Sequence, residues 1–254
     1  MKALITGASS GIGRDIARYL SKKGYDLVIV ARRQDLLEKL KSQLNTNIEI
    51  EVMDISDKTN CYNLAKKYPD IDILVNNAGF GKFGEFTEID IEEEINMINT
   101  NVVAVQILTK LYLKQMEERN SGYILNVSSM AGLLPGGPLM ATYYASKSYV
   151  ASVTRAISAE LKLKNSNVHI CALCPGPVAT NFDNVADVKF ALNGLSSEYV
   201  AKYAIDKMFE KKDIIIPGWK IKFLLFASKL APAKLTLYIT QKQQKRKINK
   251  PDKR

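Results

Sequence analysis

Tyr143 and Lys147 stand four residues apart in a run, Thr142 to Lys164, whose apolar residues recur at helical spacing. On a helix that spacing turns both side chains to one face, so a phenol and an ammonium share one site. A free phenol ionises near pH ~10, and a neighbouring cation favours its phenolate. A tyrosine held beside a lysine is therefore a group that gives and takes a proton. Tyr144 lies three residues from Lys147, which also makes neighbours on a helix, and spacing alone leaves the choice between the two phenols open.

A second cluster is built for anions. Thr6-Gly7-Ala8-Ser9-Ser10-Gly11-Ile12-Gly13 joins a strand-like run, Ala3 to Thr6, to an amphipathic one, Gly11 to Lys23. Small residues let the backbone turn tightly and approach a pyrophosphate, whose charge the free amides of a helix N-terminus then meet. Gly-x-x-x-Gly-x-Gly departs from the commoner Gly-x-Gly-x-x-Gly, so its place between strand and helix carries the reading. At the end of the second strand an acid would bind the adenosine ribose of NAD. Ala31 is followed instead by Arg32 and Arg33, whose guanidinium groups pair with a 2′-phosphate, so NADP is expected over NAD. The plain alternatives are a glycine-rich turn without a ligand and two solvated arginines at a helix start.

These residues need a scaffold, and the chain supplies an alternating one. Seven short apolar, β-branched runs recur: Ala3–Thr6, Leu27–Val30, Ile48–Met53, Ile71–Val75, Tyr123–Val127, Val168–Leu173 and Ile214–Ile216. Between them, segments such as Asp35–Leu44, Glu92–Arg119 and Thr142–Lys164 carry helical periodicity. Strands alternating with helices predict an α/β fold, a Rossmann-type doubly wound parallel sheet of seven strands with helices on both faces. Its ligand belongs beyond the carboxyl ends of the strands. Residues 177–197 lack periodicity and form a candidate substrate loop. One catalytic domain, 1–218, followed by a basic amphipathic extension, 219–254, is the organisation expected.

The formal charge of +10 is local. Residues 219–254 hold eleven Lys or Arg against one acid, Asp252, and the first 218 residues balance at 25 of each sign. A neutral body argues against a nucleic-acid partner. In the extension, apolar residues from Trp219 to Tyr238 alternate with lysines in two segments broken at Pro232. Docking against the body or a second subunit is favoured for it, with peripheral contact to an anionic membrane as the alternative. Three cysteines are too few to staple a secreted scaffold, and no signal peptide or spanning segment is visible, so a cytoplasmic protein is expected. Cys171-Ala172-Leu173-Cys174 lies in a strand-like run, which places the two thiols on opposite faces and excludes a redox pair. No metal site is expected. With His169 as the single histidine and no Gly-x-Ser-x-Gly elbow, a Ser-His-Asp hydrolase is disfavoured.

Taken jointly, the motifs resemble those of the classical short-chain dehydrogenases/reductases, from the glycine loop to about residue 180. Asn76-Asn77-Ala78-Gly79 follows strand four as in that family, where it borders the adenosine. Asp54 matches the carboxylate that accepts from the adenine amino group. The resemblance implies a catalytic tetrad of Asn101, Ser129, Tyr143 and Lys147, and it selects Tyr143 over Tyr144 as the acid. Asn101 would position a water linking Lys147 to solvent. Pro175-Gly176-Pro177-Val178-Ala179-Thr180 resembles the segment that flanks the nicotinamide and uses its threonine on the carboxamide. The cofactor residues so implied are Gly7, Ser9, Ser10, Gly11, Ile12, Gly13, Arg32, Arg33, Asp54, Asn77, Ala78, Gly79, Tyr143, Lys147, Pro175, Gly176, Val178 and Thr180. The separation of Ser129 and Tyr143 is one residue longer than the commonest family spacing, and the turn-rich Leu134–Pro138 is expected to absorb it. The activity implied is that of an NADPH-dependent carbonyl reductase or alcohol dehydrogenase acting on a moderately apolar ketone or alcohol, as a homodimer or homotetramer. A catalytically idle dinucleotide sensor or membrane-linked scaffold is the alternative.

Overall fold

Seven runs of Val, Ile, Leu and Ala become one parallel sheet in the computed structural model of the chain, which describes residues 1–179 and 194–248, with side chains as far as residue 244. The strands are β1 (Lys2–Thr6), β2 (Asp26–Ala31), β3 (Ile48–Val52), β4 (Ile73–Asn76), β5 (Tyr123–Val127) and β6 (His169–Leu173). After a short pair, β7 (Val178–Ala179) and β8 (Leu195–Ser196), comes β9 (Ile214–Ile215). The sheet order is β3-β2-β1-β4-β5-β6-β9, and every neighbouring pair is parallel. All seven predicted strands are present within two residues at each end. The near-continuous apolar character of the central strands follows from burial on both faces, since β6 is buried at every position, whereas the edge strand β3 alternates isoleucine with Glu49 and Glu51.

The helices are α1 (Gly11–Lys22), α2 (Gln34–Lys41), α3 (Lys58–Lys67), α4 (Ile91–Ile98), α5 (Ala104–Glu118), α6 (Ala141–Leu163), α7 (Ser197–Phe209), α8 (Trp219–Leu230) and α9 (Ala233–Ile248). On one face of the sheet Ile16, Leu20, Leu37, Val200 and Met208 pack against Ile5, Ile29 and Val75. On the other, Leu64, Leu108, Tyr112 and Leu161 pack against Leu4, Val28 and Leu74. Asp57, Asp90 and Ser196 cap α3, α4 and α7 by accepting from backbone amides two or three residues on. The segment expected to be one long helix, Glu92–Arg119, is divided by a π turn, Asn99–Val103, between α4 and α5. The extension breaks at Pro232 as its sequence requires.

Strand order reverses about β1, whose neighbours β2 and β4 lead away in opposite directions. The crevice at such a switch point, outside the carboxyl ends of the strands, is where open α/β sheets hold ligands. The glycine loop after β1, Arg32 and Arg33 after β2, and Asn77–Gly79 after β4 all open into it.

Candidate active site

The glycine loop turns where side chains have no room. Gly7 and Gly11 adopt left-handed backbone at φ 67° and 56°, and a Cβ on Gly13 would lie 2.3 Å from Asn77 Nδ2 and 2.6 Å from Gly7 O. Asn77 pins the loop by donating from Nδ2 to Thr6 O (3.0 Å) and Gly7 O (3.2 Å). The Thr6 hydroxyl accepts from the amides of Asn77 and Ala78. The Ser10 side chain makes no capping bond at the start of α1, so the helix's first amides face the crevice without that partner. Arg33 Nη2 donates to Ser9 Oγ and Ser10 Oγ, each at 3.0 Å, and Arg32 Nη1 reaches Asp54 Oδ2 at 3.4 Å. Burial raises the Asp54 carboxyl, but bonds from Ser56 and the charge of Arg32 outweigh it and hold the group below the usual carboxylate range.

A cavity of about 1080 Å³ runs from this loop to the C-terminal helices. Tyr143, Lys147 and Ser129 line its floor. Tyr143 and Lys147 lie one turn apart on the buried face of α6, and Ser129 ends the segment after β5. Ser129 Oγ accepts from Ala131 N–H at 3.1 Å, and its hydroxyl acts to lower the proton affinity of the Tyr143 phenol. With one lone pair so occupied, its own proton is directed into the cavity or to the phenol. Between Ser129 and Tyr143 the chain forms a 3₁₀ turn, Met130–Leu133, and a loop in which Leu139 takes φ 67° and Gly137 packs against the Tyr144 ring. Tyr144 is committed elsewhere, accepting from Gln244 Nε2 at 3.3 Å.

Burial dominates the proton affinities on this floor. It pushes the Tyr143 phenol up to about 12, against a lowering bond from Ser129, and Tyr144 adds to the rise. Burial also brings Lys147 down to about 8, with the Cys174 thiol opposing. The expectation that Lys147 holds Tyr143 towards phenolate is therefore corrected for the protein on its own. Lys147 Nζ donates to Val127 O at 2.9 Å, and desolvation of each group exceeds their mutual effect.

Asn101 sits on the π turn, a local widening found often at functional sites. Its amide is fully used: Oδ1 accepts from Phe80 N–H (3.0 Å), and Nδ2 donates to Phe80 O (2.8 Å) and Ser146 Oγ (3.0 Å). It acts first as a clamp on the turn after β4. A Cβ on Gly79 would fall 2.8 Å from Asn101 Oδ1 and 3.1 Å from Lys147 Nζ, so glycine keeps this space open. Beneath it a buried ladder, Asn76 to Asn126 to Thr154, ties β4, β5 and α6 into one frame. Pro175, Gly176 and Val178 line the cavity opposite, with Pro175 O accepting from Met130 N–H and Val178 paired to Leu195. Thr180, and most of the candidate loop 177–197, lie outside the described residues.

Sequence reasoning did not foresee that the extension walls this cavity. Ile221, Phe223, Leu224, Thr236, Thr240 and Gln244 all line it, and Ile221 covers Gly176. Docking on the body, favoured from sequence, is what α8 and α9 do. Cys61, Cys171 and Cys174 are free and buried, and burial raises all three thiols. His169 opens β6 beside Tyr123, at the far end of the strands from Ser129. No cluster able to hold a metal exists among the described residues.

The family model described as short chain dehydrogenase matches residues 1–190. This chain belongs to the short-chain dehydrogenase/reductase family. Its members are oxidoreductases of carbonyl and alcohol groups that use a nicotinamide dinucleotide, and the glycine loop that opens on the cavity at Gly7 and Ser9 to Ile12 fits such a group. A 3-oxoacyl-(acyl-carrier-protein) reductase of Rickettsia felis is 34% identical over 187 residues, covering 74% of this chain and 76% of that protein. A very-long-chain 3-oxoacyl-CoA reductase of Anas platyrhynchos is 32% identical over 199 residues, covering 74% of this chain and 63% of that one. Among solved structures, a short-chain dehydrogenase from Sphingobium yanoikuyae in complex with NADPH superposes with a TM-score of 0.81 at 25% identity, covering 92% of this chain and 94% of that chain.

Proposed function

We propose that this short-chain dehydrogenase is an NADPH-dependent carbonyl reductase, reversible as an alcohol dehydrogenase, acting on a moderately apolar ketone or alcohol. The observation that carries the reading is the convergence of Ser129, Tyr143 and Lys147 on one apolar-walled cavity, with Lys147 one turn along α6 from Tyr143. When bound, the nicotinamide supplies the hydride or accepts it.

The chain's own residues do the rest. Gly7 and Ser9 to Gly13 hold the pyrophosphate with the first amides of α1, and Arg32 and Arg33 take the 2′-phosphate. Asp54 meets the adenine amino group, and Asn77, Ala78 and Gly79 border the adenosine. Pro175, Gly176 and Val178 flank the nicotinamide, with Thr180 on its carboxamide. Ser129 donates to the substrate oxygen and so stabilises charge that grows in the transition state. Tyr143, protonated at neutral pH by virtue of its burial, gives its proton to that oxygen. Lys147 then stabilises the phenolate left behind, and Asn101 keeps the Gly79–Phe80 turn clear of its ammonium.

Apolar walls from Phe80, Met140, Ile221 and Leu224 support a ketone with hydrocarbon on both sides of the carbonyl. The relatives that reduce 3-oxoacyl thioesters support the same class. In this reading residues 1–218 form the catalytic domain and 219–254 wall its substrate side. The enzyme works as a cytoplasmic homodimer or homotetramer, and its free cysteines accord with a reducing compartment.

The test is binding of NADPH and NADH, then a panel of ketones and aldehydes with reduced nicotinamide followed by absorbance. Tight NADPH binding and carbonyl-dependent oxidation are expected. A protein that binds NADPH and turns over no carbonyl in the panel is the idle sensor instead, and failure to bind either nucleotide removes the whole assignment.

A further inference from the structure

The helices α8 and α9 are apolar on the side that faces away from the protein. On α8, Trp219, Phe226 and Leu230 recur at intervals of seven and four, which draws one stripe along the helix. Trp219 is 74%, Phe226 62% and Leu230 76% exposed, whereas Leu225 on the opposite side is 3% exposed. On α9 the usual arrangement is reversed. Thr236, Thr240 and Gln244, each four residues on, are buried, while Leu235 and Tyr238 face out. A helix resting on a protein in water shows the opposite pattern, and a continuous exposed apolar patch marks an interaction surface.

Charge identifies the partner. Lys220, Lys222, Lys229, Lys234 and Lys242 are exposed around these stripes, and no acid occurs from Trp219 to Ile248. A second copy of this face would set lysine against lysine, whereas an anionic lipid headgroup layer meets every one of them with opposite charge. The α8 helix, 12 residues or about 18 Å, falls short of the ~30 Å hydrocarbon core, and no described helix is long and apolar enough to cross a membrane.

We propose that the outer face of α8 and α9 docks on an anionic phospholipid bilayer, with the aromatic and leucine stripe in the interface and the lysines on the headgroups. Apolar burial and basic charge act together in such surface helices. The docking does not rest on the reductase reading, since it needs neither cofactor nor turnover.

The experiment uses the full chain with vesicles of phosphatidylcholine alone and of phosphatidylcholine with phosphatidylglycerol. Trp219 is the chain's one tryptophan and lies on the docking stripe, so it reports directly. Co-sedimentation with the anionic vesicles and a blue shift of Trp219 emission are expected, both weakening with salt as exposed charges are screened. The double variant Phe226→Asp, Leu230→Asp should lower partitioning by at least about tenfold. Lys229→Glu with Lys234→Glu should lower it as well while leaving the stripe intact. Both pairs are exposed, and an unchanged melting temperature shows that the fold is kept. Absence of binding to the anionic vesicles, or equal binding by all forms, overturns the proposal. A wild-type dimer that the Asp variant converts to monomer also overturns it, because a second copy then covers the face.

Discussion

Arg33 and Ser10 are joined across the mouth of the glycine loop, with Nη2 3.0 Å from Oγ and the same nitrogen 3.0 Å from Ser9 Oγ. In the proposed NADPH complex the guanidinium exchanges these two neutral acceptors for the 2′-phosphate dianion. Arg33→Ala should weaken NADPH binding by roughly tenfold or more, the effect of losing one charged hydrogen bond, while NADH binding stays within about twofold. Calorimetric titration of both nucleotides decides it, and equal losses for the two would show that Arg33 serves the loop and not the phosphate.

Tyr143→Phe removes one hydroxyl from a buried ring whose neighbours are apolar. Turnover should fall by roughly 10² to 10⁴, the range of a lost general acid, with NADPH affinity nearly unchanged. Tyr144→Phe is the control. Its hydroxyl is engaged with Gln244, so it should keep most of the activity. If the two variants lost activity equally, the choice of Tyr143 would be wrong.

Lys147 gives the reaction a pH limit. Burial sets its proton affinity near about 8, below that of an exposed lysine, so the ammonium is present below that pH and lost above it. Tyr143, raised to about 12, stays protonated throughout this window. Reductive kcat/KM should thus be level below about 8 and then fall with the loss of one proton, because the buried phenolate formed in the step loses its counter-charge. A wild-type profile that continued level well above that point would separate Lys147 from proton transfer.

The fold was legible because a parallel sheet buried on both faces writes itself as near-continuous apolar runs, as β1, β5 and β6 do. The site was legible where backbone geometry restricts residue type, at Gly7 and Gly13, and where helical spacing joins side chains, at Tyr143 and Lys147. The π turn at Asn101 was not, since Asn99–Val103 keeps the same apolar rhythm as the helices it divides. Nor was the wall formed by α8 and α9. The α8 helix has apolar residues both inward, at Leu225, and outward, at Trp219 and Phe226, while α9 buries Thr236, Thr240 and Gln244, so neither sequence says which side faces in.

Gly13 is a position where one methyl group decides the loop. An alanine Cβ would meet Asn77 Nδ2 at 2.3 Å and Gly7 O at 2.6 Å, forcing apart the residues that shape the phosphate cradle. Gly13→Ala should cost about 1–3 kcal/mol as overpacking, or a fall of roughly 2–12 °C in Tm for a chain of this size, and weaken NADPH and NADH alike. Differential scanning calorimetry with nucleotide titration measures both, and a variant that kept wild-type Tm and affinity would contradict the close packing of Gly13 on Asn77.

Gln244 brings the extension into substrate selection. Its Nε2 donates to Tyr144 Oη, while its buried Oε1 has no partner among the described residues, and the residue lines the cavity. A buried acceptor without a donor favours a substrate that supplies one. Ketones bearing a hydroxyl or amide N–H beside the carbonyl should bind better than plain alkyl ketones, and Gln244→Leu should raise KM for the former by roughly fivefold, the worth of one hydrogen bond. Affinity for NADPH should not change, because Gln244 lies by Tyr144, beyond the catalytic floor from the glycine loop. Steady-state KM for matched ketone pairs in wild type and variant tests the point: an equal rise for both members would mean that Gln244 only packs the wall, and no rise for either would place the substrate away from α9.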